Sequence, residues 1–247
     1  MANWQDPQTT GVSAATVGVP RAARDAGLRS YMLSVYNYMA SGVLLTGIIA
    51  LLFAPYAGDV LLSQSGRGMS ALGWIVTLSP LGIVFAMSFG AQRMRTGTLQ
   101  LLFWAFASLM GLSMSTLFLV YTGTSIAQTF FATAAAYMGL SLYGYTTKRD
   151  LSGFGTFLIM GVVGILVAMV INMFLQSSAM ALAISAIGVL LFAGLTAYDT
   201  QRIKSIYFEL AGAPDTLRKA AIMGALNLYL DFINMFLFLL RFMGDRR

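Results

Sequence analysis

No charged residue occurs between Arg95 and Lys148, and none between Asp150 and Asp199. Each gap has room for two apolar segments of about 20 residues, the length that crosses a bilayer's hydrocarbon core at about 1.5 Å per residue. In hydrocarbon every backbone N–H and C=O must find its partner inside the protein, so runs of this kind form helices. The chain as a whole agrees: of its 247 residues 58% are hydrophobic and 10% charged, more apolar than a soluble domain needs. It has no cysteine and no histidine, which excludes disulfides, thiol chemistry and zinc or haem ligation by those side chains. A net charge of +6 would suggest nucleic acid in a soluble protein. Here the basic residues fall between apolar segments, so membrane topology accounts for them and no nucleic-acid partner is expected. No aqueous region is large enough for a soluble active site, and phosphate-loop, nucleophile-elbow and metalloprotease motifs are absent, so no enzymatic activity and no cofactor are expected.

Hydropathy and turn residues predict an all-α integral membrane protein: a flexible tail over residues 1–30, then a seven-helix transmembrane domain over 31–247. The tail does not read as a signal peptide, because no apolar run of about 7–15 residues precedes Ser30. The predicted spans are 35–54, 72–92 with a kink at Pro80, 99–121, 126–146, 154–175, 179–198 and 220–242. Polar connections are expected at 59–68, around Arg93 and Arg95, at 122–125, 148–150 and 199–219, the last with Asp215 or Thr216 as a helix cap. Small residues at 132–136, with Gly139, Gly161 and Gly164, permit close helix contact. Trp74, Tyr143 and Tyr145 read as interfacial anchors.

With the amino terminus inside, the tail and the connections after the second, fourth and sixth spans carry 3, 2, 2 and 4 Lys or Arg, against one, Arg67, on the other side. That asymmetry predicts a cytoplasmic amino terminus. Arg241, Arg246 and Arg247 then fall outside if the last segment spans fully, and inside if it re-enters. The segment is long enough to span, and that alternative is preferred.

The last segment also holds Asp231 among Leu, Phe, Ile and Met. A carboxylate within a span costs about 2.5–3.5 kcal/mol on insertion scales, so such a residue faces the protein interior and normally has a function. Asn227, Asp231 and Asn234 lie at i, i+4 and i+7 with Gly224 on the same stripe, giving the helix one polar seam. The seam reads as an ion or proton site. The alternative is a permanently protonated Asp231 that serves only a hydrogen bond between helices.

Three stretches are more specific. The first is Tyr143-Gly144-Tyr145-Thr146-Thr147-Lys148-Arg149-Asp150-Leu151-Ser152, followed by Gly155 and Met160-Gly161. The second is Thr196-Ala197-Tyr198-Asp199-Thr200-Gln201-Arg202-Ile203. The third is Leu228-Tyr229-Leu230-Asp231-Phe232-Ile233-Asn234, ending in Leu240-Arg241. In this order they make the chain, over about residues 30–245, resemble the transmembrane Bax inhibitor motif (Bax inhibitor-1-like) family in its bacterial inner-membrane branch.

The resemblance implies a fold in which the last helix is central and surrounded by the other six. It implies a pH-sensitive calcium leak channel of the inner membrane, with calcium ions as the permeant species. Its pH sensor falls on Asp199 and Asp231, which would also make any transient calcium contact. It implies an arginine latch on Asp199, for which Arg93 is the first candidate and Arg95 the second, with Asn227 and Asn234 as the supporting seam. The chain departs from some relatives in having no acidic residue between Asp59 and Asp150. Counted along the predicted spans, Asp199 and Asp231 differ in depth by roughly a dozen Å, whereas the resemblance implies that they meet. A second class of function is an interaction protein that regulates a membrane protease or a stress response without transport of its own. A retinal protein is excluded by its need for a lysine within a span, since Lys148, Lys204 and Lys219 lie in connections or at a span boundary.

Overall fold

The structure, a computed structural model, describes residues 21–63, 68–210 and 212–247. They form α1 (Arg21–Phe53), a 3-10 turn (Ala54–Tyr56), α2 (Ala57–Leu61), α3 (Ala71–Gly90), α4 (Thr96–Met114), α5 (Leu117–Val120), α6 (Gly123–Thr146), α7 (Ser152–Leu175), α8 (Ser178–Leu210) and α9 (Pro214–Met243). Among the described residues strand pairing is limited to two isolated bridges, Leu62 with Met69 and Tyr121 with Arg246. Six long helices are long and apolar enough to cross a membrane. The seventh long helix, α6, has 24 residues and a more polar composition, for a structural reason. Its Ser125, Thr129, Thr133, Tyr137 and Ser141 recur every four residues and are buried. The helix therefore turns a hydroxyl-bearing stripe inward and leaves Phe131, Met138 and Leu142 outside.

Each predicted span falls largely on a long helix, but several ends move. Residues 1–20 of the expected tail lie outside the described residues, and its last ten are already the first turns of α1. Leu28, Tyr31, Met32 and Val35 recur at helical spacing and are buried, so this part of α1 has an apolar stripe to pack. The expected connection 199–219 is mostly helical. α8 continues to Leu210, α9 begins at Pro214, and only residues 211–213 join them. Burial again explains the extension. Ile203, Ala221 and Ile222 join Leu28 and Met32 in the core, the Tyr31 and Tyr207 rings lie 5.6 Å apart, and the Tyr207 hydroxyl donates to the Arg24 carbonyl at 3.4 Å. Neither Asp215 nor Thr216 caps α9. Ala213 stands at the cap position, Pro214 opens the helix, and Asp215 lies in the first turn, where Pro suits an orphan N–H position and a negative charge suits the dipole.

The third predicted span breaks near its end. Ser115 and Thr116 turn their hydroxyls back onto the carbonyls of Leu112 and Ser113 at 2.6 and 2.8 Å, a local alternative to the helical ladder. Thr122 then caps α6 by accepting from the Ser125 N–H. α3 runs through Pro80 without interruption.

The apolar window of α9 is two-thirds buried, against less than a third in each of the other five candidate spans. α9 packs on α8, α1, α6 and α4, while α3 and α7 pack outside it, on α4 and α8. Tyr229, fully buried, ties α9 to two neighbours at once. Its hydroxyl shares a 2.7 Å hydrogen bond with Thr46 of α1, and Thr46 donates to the Ala107 carbonyl of α4 at 2.8 Å.

Candidate aspartate pair between α8 and α9

α8 and α9 are antiparallel neighbours joined by a short turn, and two glycines set their register. Gly224 of α9 faces Ile203 of α8, and Gly188 of α8 faces the ring of Phe238 of α9. In that register Asp231 stands about level with Thr196, and Asp199 lies roughly one turn, about 5 Å, nearer the connecting loop. The dozen Å expected from the sequence is thus reduced, because α8 and α9 both extend beyond their predicted ends and shift the reference points. The polar seam of α9 runs along α8: Gly224, Asp231 and Phe238 are spaced by seven, and the glycine and the phenylalanine both touch α8.

Asp231 is 4% exposed. Its Oδ2 is buried and has no hydrogen-bond partner. Its carboxyl lies within electrostatic reach of Asp199, and both act on the hydroxyl of Tyr137 in α6. Tyr137 itself donates to the Leu228 carbonyl at 3.3 Å. The two aspartates thus lie within electrostatic reach of each other, about one turn apart along the helices, with the Tyr137 hydroxyl as a third polar group that was not anticipated. Asn234 donates to the Leu230 carbonyl at 2.8 Å, a bond within its own helix. Asn227 is half-buried on the same seam.

The arginines are placed differently. Arg93 and Arg95 are exposed in the α3–α4 turn, and neither makes an ion pair among the described residues. Lys219 donates to the Gln92 carbonyl at 3.3 Å, so this turn docks at the loop end of α9. The α8–α9 register puts Lys219 level with about residue 208, roughly 13 Å along α8 from Asp199. The turn that carries both arginines thus lies nearer the α8–α9 loop than Asp199 does. The cation that acts on Asp199 is Arg202, three residues further along the same helix. A calcium contact would have two carboxylates, whereas calcium takes about 6–8 oxygen ligands. Among the described residues no cluster of three or more metal-ligating side chains occurs.

The stretches that carried the resemblance pack on one another. Gly144 of α6 rests on the backbone of Ala197 in α8, and Gly155 of α7 on the ring of Tyr198. Gln201 holds the α6–α7 loop at both ends of its amide: Oε1 accepts from the Leu151 N–H and Nε2 donates to the Arg149 carbonyl, each at 2.8 Å. Lys204 donates to the Tyr145 carbonyl at 2.8 Å and lies over that tyrosine's ring. Tyr36 of α1, Ser141 of α6 and Thr200 of α8 form a chain of hydroxyls at 2.6 and 3.1 Å, and Thr200 donates on to the Thr196 carbonyl. This polar string spans three helices and reaches Thr200, the residue that follows Asp199 in α8. Thr196 and Thr200 lie within the second of those stretches, whereas Tyr36 and Ser141 are single residues that carry no motif; the four-residue period of hydroxyls in α6 is the signal that could have revealed Ser141.

Comparison with known proteins places this arrangement. Residues 28–247 match the family model described as inhibitor of apoptosis-promoting Bax1. A protein of Rickettsia prowazekii is 48% identical over 90% of this chain and 92% of its own. One of Caulobacter vibrioides is 46% identical over 90% and 91%. The inner membrane protein YbhL of Escherichia coli is 46% identical over 90% of this chain and 94% of its own. By the extent of the family match and the level of these identities, the chain belongs to the Bax inhibitor-1-like family of membrane proteins.

Proposed function

We propose that the chain is a pH-sensitive cation leak channel, with calcium as the permeant ion and with no enzymatic activity or bound cofactor. It lies in the bacterial inner membrane with a cytoplasmic amino terminus and seven spans, and α9 forms the centre of the bundle. The observation that supports this reading is Asp231. Its carboxyl is 4% exposed, has an unpartnered oxygen, and faces a second carboxylate. Charged carboxylates in such surroundings are expensive, and two of them within reach of each other cannot both ionise cheaply. A site of this composition is suited to holding a proton whose loss changes the forces between two helices. Protonation in acid removes the charge of Asp199 and so changes its interaction with the Asp231 carboxyl of α9, which shifts the two helices relative to each other and opens the path. At higher pH the charged Asp199 keeps the path closed.

The test is calcium flux into proteoliposomes of the purified protein at a mildly acid and a mildly alkaline pH. The channel gives a passive flux that rises in acid. No flux at either pH assigns the protein to the second reading, an interaction protein acting on another membrane component such as a protease. Accumulation against the gradient would indicate coupled transport instead.

A further inference from the structure

α1 and α6 both pack on α9 but scarcely on each other. Between them runs a groove of about 750 Å³, with Phe232 of α9 at its base. It extends along α1 from Arg29 to Leu44, about 22 Å at 1.5 Å per residue. Leu33, Leu44 and Met138 on its rims are each at least half exposed, so it opens sideways, toward the surface that α1 and α6 present to lipid. Among the described lining residues Arg29 alone is charged, it lies at one end, and it makes no ion pair among the described residues. The groove thus has a cationic end and a long apolar body.

We propose that this groove is a binding site for one anionic phospholipid, such as a phosphatidylglycerol, with its phosphate on Arg29 and an acyl chain lying between α1 and α6. Its length supports this occupant. A bilayer with its headgroups is about 40–45 Å thick, so 22 Å is one leaflet from headgroup to chain end. Its charge supports an anionic head, because basic pockets between membrane helices bind lipid phosphates. About midway along the groove lies the hydrogen bond between Tyr36 and Ser141, which bridges the two walls and continues to Thr200 beside Asp199. The bound chain therefore lies against the polar string that reaches Thr200.

Native mass spectrometry of the full chain, titrated separately with phosphatidylglycerol and phosphatidylcholine, tests the proposal. The wild type is expected to retain one lipid and to prefer the anionic one by about fivefold, the factor that one arginine carries near an anionic surface. Arg29→Gln equalises the two lipids. Ala40→Phe, whose ring enters the groove from an exposed wall position, lowers retention of both, with circular dichroism confirming the helix content. Unchanged preference in Arg29→Gln overturns the proposal, as does wild-type retention in Ala40→Phe. A dimer that Ala40→Phe abolishes while lipid retention stays constant also overturns it and gives the groove to a second copy of the chain.

Discussion

Asp231 is the residue on which the chemistry turns. Asp231→Asn keeps the shape and removes the titration, so the flux should lose its dependence on pH while the fold persists. Flux profiles of the wild type and the variant, compared on equal protein, check this. Asp199→Asn should flatten the profile too and raise the leak at alkaline pH, because the loop end of α8 loses a charge. If both variants keep the wild-type profile, Asp231 is only a packed, neutral carboxyl. The two arginine positions can be separated in the same assay. Arg202 acts on Asp199 directly, at a spacing worth about 0.2–0.5 kcal/mol on a helix. Arg202→Gln should therefore raise the alkaline leak up to about twofold and Arg93→Ala should not. The reverse order would return the latch to Arg93 and require a closed state in which the α3–α4 turn moves toward Asp199.

Helix pairs are held by close approach and by a few hydroxyls. Gly144 is a point of close approach between α6 and α8, since a Cβ there would meet the Ala197 carbonyl. Gly144→Ala gains up to about 1 kcal/mol of helix propensity, but overpacking typically costs about 1–3 kcal/mol, and here the obstacle is backbone, which cannot rotate away. We expect a net loss of stability of about 1–2 kcal/mol, read from denaturant unfolding in detergent. Gly139→Ala, with nothing near its Cβ, serves as the control and should be neutral or slightly stabilising. Tyr229→Phe removes the bond that links α9 to Thr46. Hydrogen bonds between membrane helices average about 0.6 kcal/mol, so the loss should be near that value. Adding Thr46→Val should cost further, because the Ala107 carbonyl then loses its donor. In the α6–α7 loop, hydrogen bonds from Ser152 hold the exposed Asp150 carboxyl below the usual carboxylate range. Whatever the group contributes is present above its unfolded value and is lost as pH falls through the folded one.

For the whole molecule the first question is orientation. The absence of cysteine allows single cysteines to be introduced without background. A cysteine beside Gly212 is expected to react from the cytoplasmic side and one beside Arg247 from the opposite side. Labelling of both from the cytoplasmic side alone would replace the seven-span arrangement by a re-entrant α9. Much of the architecture was legible beforehand, because transfer to hydrocarbon acts residue by residue and is blind to tertiary contacts. Charge-free runs determined that the chain enters a membrane, that it is helical, and about where each long helix lies. The same local reasoning ended α8 at Tyr198 and began α9 at 220, since polar residues there look like loop. Only packing against α1 shows that those stretches continue as helix. The sequence also determined that Asp231 faces the protein interior, through the cost of a carboxylate in hydrocarbon, and the motif resemblance pointed to Asp199. The tertiary structure alone decided that they lie about one turn apart along the helices, that Tyr137 lies within electrostatic reach of both, that Arg202 acts on Asp199 from the same helix, and that a groove separates α1 from α6. These follow from the register of helices whose contacting residues lie far apart in the chain. That register is set by which small residue meets which large one, such as Gly224 with Ile203 and Gly188 with Phe238, and no hydropathy period within one helix carries it.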